Sequence, residues 1–154
     1  FFFQLKCSFC QSFPQLNFKI SDSYEFKIIS THEIESGKTT LLISDEQSVK
    51  GRNLVLINHI DMNLKSVSES EFLDYYRKDY EKRGIDSVIK EINNKNYIIA
   101  GEVSNITEVY GTENYSLYAT TFHNGDAYGI AVQSTFERQV DWVFKIAEDI
   151  EFFE

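Results

Sequence analysis

The stretch YSLYATTFHNGDAYGIAV, residues 115–132, sets the reading of this chain. Asn124-Gly125 sits at its centre, between two runs rich in tyrosine, threonine and small apolar residues. An Asn-Gly pair in that setting is a strong hairpin signal. A two-residue turn that follows the twist of its strands needs φ above zero at both positions, which these two residues tolerate. The stretch therefore predicts antiparallel strands over 115–122 and 127–132. His123 and Asp126 flank the turn, where polar residues belong.

Working outward, the same logic extends the sheet. IDSVIKEI at 85–92 alternates in polarity, NNK at 93–95 turns the chain, and YIIAGEV at 97–103 is apolar on both faces. With the hairpin this makes a four-strand meander. Upstream, Ser68 and Glu71 form a capping box, and Val67 can staple against Phe72. Phe72, Leu73, Tyr76 and Tyr80 then recur at helical spacing, Asp74/Lys78 and Arg77/Glu81 are i, i+4 pairs on the other face, and Gly84 is a stop. Earlier still, YEFKIIS at 24–30 alternates with Tyr24, Phe26 and Ile28 on one face, KTTLLIS at 38–44 is a second strand, and NLVLINHID at 53–61 belongs inside the sheet. Downstream, a second helix starts near Ser134, with Glu137 completing a capping box. Phe136, Val140, Val143, Ala147 and Ile150 step down one face, and Phe144 flanks them. The expected fold is α+β: a mostly antiparallel sheet of six or seven strands packed with two helices.

Composition bounds the function. The chain has 154 residues, one domain's worth, and a net charge of -9. Such acidity repels phosphate backbones, and RKDYEKR at 77–83 alternates sign, so no nucleic-acid partner is expected. No apolar run is long enough for a transmembrane helix.

The opening FFFQLKCSFCQS lacks an initiator methionine. We read residues 1–12 as the remnant of a secretory signal, with cleavage near Cys10 or Ser12 and 13–154 as one α+β domain. The protein is then exported, and Cys7 and Cys10 leave with the signal. Under the competing reading Phe1–Leu5 is an ordered strand or flap, and Cys7 and Cys10 remain as a lone C-x-x-C with little support for zinc or redox chemistry.

Constellations for chemistry are sparse. His59 and Asp61 share a strand face, but no third metal ligand accompanies them. His123 with Asp126 marks a turn, and His32 a loop or a strand edge. Nucleophile-elbow, P-loop, dinucleotide and zinc-protease patterns are absent, as is the calcium-loop pattern in DEQSVKGRN at 45–53. Asn105 and Asn114 begin chance sequons. No catalytic residue, cofactor or metal is assigned. Trp142 lies about 130° from the centre of the second helix's apolar stripe by the helical period, beside Arg138, Lys145 and Asp149. It is a candidate partner-binding anchor unless the fold wraps far enough to bury it. Tyr75 poses the same question on the first helix.

A strand-rich start, one capped helix, a four-strand meander and a last helix ending in an aromatic, strand-like IEFF resemble, over residues 18–153, the PsbP-like superfamily. The likeness points to its DcrB-type bacterial envelope proteins. The resemblance implies an α/β/α sandwich, an exported protein, and action through protein contacts without a family-wide catalytic residue. The expected function is a non-enzymatic binding or accessory protein. The alternative is a small-molecule or lipid-binding domain in which Tyr76, Tyr80, Tyr118 and Tyr128 line an aromatic pocket between helix and sheet. A hydrolase using His59 and Asp61 is the third class.

Overall fold

The computed structural model describes residues 10–35, 37–45, 53–105, 113–134 and 139–153. Seven strands form one sheet: β3 (Lys27–Ile34), β4 (Gly37–Asp45), β5 (Asn53–Asp61), β6 (Ser87–Ile92), β7 (Lys95–Asn105), β8 (Glu113–His123) and β9 (Asp126–Ser134). Their order is β3-β4-β5-β9-β8-β7-β6, and every neighbouring pair is antiparallel. These are the seven strands the sequence predicts. The expected hairpin lies inside this sheet: Asn124 and Gly125 have φ of 49° and 89°, and His123 pairs with Asp126.

Helix α1 (Glu69–Lys82) starts at the expected capping box. The Glu71 N–H donates to Ser68 Oγ at 3.2 Å, and the Ser68 N–H donates to Glu71 Oε2 at 2.9 Å. It ends in a Schellman arrangement, in which the Ile85 N–H donates to the Tyr80 carbonyl at 2.9 Å and the Gly84 N–H to that of Glu81 at 3.0 Å. Helix α2 (Gln139–Asp149) is the second predicted helix. Its expected start at Ser134 and the capping-box Glu137, with Phe136, fall on or beyond the edge of the described residues.

The two helices cover opposite faces of the sheet, and strand alternation shows it. Ile98 and Ala100 of β7 and Phe122 of β8 cluster with Phe72, Leu73 and Tyr80 of α1; Val67 joins them, as a staple should. Tyr97 and Ile99, the other parity of β7, cluster with Val143, Ile146 and Ala147 of α2. The double-sided apolarity of 97–103 thus reflects a helix above and a helix below. β5 differs. Val55 and Ile57 are buried on the α2 face, whereas Leu54, Leu56 and Ile60 on the other face are only half-buried.

Two strands, β1 (Cys10–Phe13) and β2 (Phe18–Ser21), lie outside the sequence expectation, and a third, β10 (Glu151–Phe152), falls in the stretch IEFF, which has a strand-like reading. The three form a second sheet, ordered β1-β2-β10. Its Phe13, Phe18 and Ile20 join the core beneath α2. Cys10–Ser12 of the segment read as a signal remnant therefore sit in β1, where Cys10 pairs with Ser21 and Ser12 with Lys19. Cys10 is disulfide-bonded; Cys7, the chain's other cysteine, lies outside the described residues.

The expected strand at 24–30 needs correction. Asp22–Tyr24 is a 3-10 turn closed by Glu25 at φ 47°, and the strand begins at Lys27. Tyr24 and Phe26 are buried, but Ile28, although paired with fully buried Leu42, stays exposed on the edge strand, and a bulge between Ile28 and Ser30 shifts the register beyond it. β3 is an edge strand, and bulges there discourage pairing with other chains.

Candidate functional site: an amide-lined groove at one end of the sheet

Four segments meet at the end of the sheet where β5 finishes. They are the turn after Leu16, the 62–68 connection into α1, the β6–β7 turn and the β8–β9 turn. Between them is a groove of about 1050 Å³. One residue type marks it. Asn17, Asn63, Asn94 and Asn124 all line the groove, and all four have positive φ, at 60°, 53°, 61° and 49°. Each has a local reason, since asparagine is the residue after glycine that best tolerates this conformation at a turn. Their convergence on one groove is a tertiary fact. Neither Asn63 nor Asn94 has a side-chain hydrogen-bond partner among the described residues.

The walls are tied from behind. The Leu64 N–H donates to the Gly125 carbonyl at 3.1 Å, and a Cβ on Gly125 would come within 3.1 Å of the Lys65 nitrogen. The connection into α1 is thus pressed against the hairpin turn. Asp126 fastens two elements to its own strand. Its Oδ1 accepts from the Met62 N–H at 3.2 Å, and its Oδ2 lies 3.1 Å from His59 Nε2. The His59 ring is buried and stacks on Tyr128, with centroids 4.5 Å apart and planes at 12°. The Tyr128 hydroxyl donates to the Leu16 carbonyl at 2.9 Å, which anchors the turn carrying Asn17. Burial holds that hydroxyl well above the ordinary tyrosine range. The carboxylates of Asp126 and Asp61 push it the same way, opposed by a hydrogen bond with Asn17. On the far wall, Glu69 of α1 accepts from the Asn96 backbone at 3.3 Å and from its side chain at 3.4 Å.

This arrangement offers neutral amides backed by engaged charges. Asp126 and Glu69 already hold partners, and Lys65 and Lys95 share the lining with Asp61. Among the described residues no group of three or more His, Cys, Asp or Glu is placed to hold a metal ion. His59 and Asp61 do lie on one strand end, but His59 turns to Asp126, which is 67 residues away in sequence. Local spacing gives no signal for that pair. Antiparallel pairing of β5 with β9 supplies it, setting His59 against Tyr128.

The other candidates are scattered. Tyr75 is 69% exposed on α1, in edge contact with Tyr76. Trp142 is half-buried and packs against the core under α2. They lie on opposite sides of the sheet and do not form one patch. The four tyrosines of the aromatic-pocket reading are likewise divided. Tyr76 and Tyr80 belong to the α1 side, and Tyr118 shares its strand parity with Phe122, whereas Tyr128 is buried in the α2 core. His32 is exposed on the edge strand β3. Of the groove asparagines, Asn94 and Asn124 were legible as turn residues. Asn17 and Asn63 carry no comparable sequence signal.

No helix among the described residues is long and apolar enough to cross a membrane. No family model matches the chain, and no curated protein matches it. Among solved structures, a crystal structure from Bacteroides thetaiotaomicron VPI-5482 superposes with a TM-score of 0.63 at 10% identity. The match covers 90% of this chain and 46% of that one, so this chain spans less than half that protein's length. At such identity the likeness is one of fold: an α+β chain built on a mostly antiparallel sheet.

Proposed function

We propose that this chain is a non-enzymatic, exported binding or accessory protein, with the amide-lined groove as its ligand seat. The observation that carries the reading is the convergence of Asn17, Asn63, Asn94 and Asn124 on one groove. The non-enzymatic reading is supported by the state of His59, a buried, stacked ring whose Nε2 faces Asp126 and not the groove's open space. The disulfide at Cys10 supports an oxidising, exported setting, and does so with Cys7 and Cys10 kept on the chain rather than lost with a signal. A helix on each face of an antiparallel sheet is also what membership of the PsbP-like superfamily requires.

Native mass spectrometry of the full chain recovered from a bacterial envelope fraction tests this. The expected result is a noncovalent adduct of a small polar molecule, absent from the Asn63→Gly/Asn94→Gly variant. Exposed Tyr75 favours a second reading, action through protein contacts. A chain without an adduct that co-purifies with a stoichiometric protein, lost on Tyr75→Ala or Trp142→Ala, would replace the groove reading with that one.

A further inference from the structure

The lining of the groove restricts the chemistry of its ligand, given the reading of the groove as a ligand seat on which this inference rests. Charge comes first. The lining carries the carboxylates of Asp61, Glu69 and Asp126 against Lys65 and Lys95. Two of those carboxylates are already engaged, Asp126 by His59 and Met62 and Glu69 by Asn96. Hydrogen bonds do not cancel their charge, so three carboxylates against two ammonium groups leave the lining slightly negative, on a protein of net charge -9. An anion gains little here and is repelled at long range.

Apolarity comes next. Val67 and Phe122 are the apolar side chains of the lining, and Phe122 is buried against Phe72, so a lipid tail or an apolar side chain finds no seat. Hydrogen bonding is what the groove offers in quantity. The amides of Asn63 and Asn94 each present one acceptor oxygen and two N–H donors, while Asn124 Nδ2 already lies 3.3 Å from His123 Nε2 and Asn17 bonds the Tyr128 hydroxyl. A pair of adjacent hydroxyls, each able both to donate and to accept, satisfies an amide edge on both counts. A volume of about 1050 Å³ lies at the top of the ~300–1,000 Å³ range of ligand pockets, room for more than one sugar ring. We infer that the groove takes a neutral polyhydroxylated ligand: an oligosaccharide, free in solution or as part of a glycan polymer.

The test is an amide-resolved NMR titration of the full chain. The probes are a panel of neutral oligosaccharides of gluco, manno, galacto, xylo and N-acetylglucosamine type, with trialanine and free glycine for comparison. The expected result is displacement of the Asn63, Asn94, Asn124 and Gly125 signals by at least one saccharide. In Asn63→Gly/Asn94→Gly its affinity falls by about tenfold, the loss of one or two neutral hydrogen bonds. Glycine accepts φ of 53° and 61° without strain, so the thermal midpoint of that variant is unchanged, and any loss of binding belongs to the amides. Co-sedimentation with chitin and cellulose separates the sources. Binding to a polymer assigns the glycan strand, and response to free oligosaccharides alone assigns the soluble ligand. Displacement by trialanine or glycine with every saccharide silent overturns the ligand class and leaves the groove as a site. No displacement by any probe overturns both. Saccharide binding of equal strength in the glycine variant overturns recognition by the amides.

Discussion

Asp126 shows how much one side chain can hold together. It sits at the start of β9, reaches the backbone of the 62–68 connection with one oxygen, and faces the imidazole of β5 with the other. Neither His59 nor Asp126 is more than 13% exposed at the side chain, so a partner left alone is not rescued by bulk water. Asp126→Ala leaves a ring nitrogen and an N–H unsatisfied, a cost of about 1–3 kcal/mol for each buried group. The expected outcome in urea unfolding is a lower midpoint with an unchanged slope. Asp126→Asn keeps an acceptor for Met62 and recovers part of the loss.

At the scale of the element, the turn from β3 into β4 is fixed by a close approach. Gly37 has φ 151°, and a Cβ built on it would overlap the Asp61 carbonyl oxygen. The end of β5 is thereby laid directly against the start of β4, with Lys38 opposite Asp61. Both partners in that contact are backbone, so no side-chain rotation relieves it. Gly37→Ala must push the strands apart, at about 3 kcal/mol or more. Thermal unfolding should show a clearly lowered midpoint, and amide exchange should quicken first at the β3–β4 end of the sheet. The Asn124-Gly125 turn and the α1 capping box are local devices, legible because their geometry depends on neighbours in the chain. The β3 bulge is not, since nothing in KIIS distinguishes a bulged from a regular edge strand.

At the scale of the whole molecule, the small sheet of β1, β2 and β10 closes the α2 face of the large one. Phe18 is fully buried there, in edge contact with Tyr128 at 5.8 Å and Phe152 at 6.5 Å. The Phe153 N–H donates to the Asn17 carbonyl at 2.8 Å, and the Tyr24 hydroxyl donates to Asp149 at 2.9 Å, so both ends of the described chain are stitched to one core. That core contains tyrosines held neutral. Burial raises the Tyr97 and Tyr128 hydroxyls far above their ordinary range. A folded-state pKa above the unfolded value near 10 means stabilisation that is complete below about pH 10 and is lost as pH climbs from there toward the folded value. The thermal midpoint should therefore hold to about pH 9 and fall beyond pH 10. Tyr97→Phe, which keeps the ring and removes the proton, should make that fall shallower.

Local patterns along the chain specify the strands of the large sheet, apart from the start and the bulge of β3, together with both helices, the α1 cap and the hairpin turn. Each of these is written in a period or a turn pair that acts over a few residues. The sequence also places Asn94 and Asn124 at turns. Only the tertiary structure decided that 10–21 and 151–152 form a second sheet. These strands are two to four residues long, too short for a period to declare itself; β1 and β2 pair across a short turn, and β10 joins β2 from the other end of the sequence. The same holds for the groove. Its four asparagines come from separate turns, and its brace joins His59 to Asp126. Strand order alone brings them to one end of the sheet, and no pattern along the chain encodes which turn ends will be neighbours.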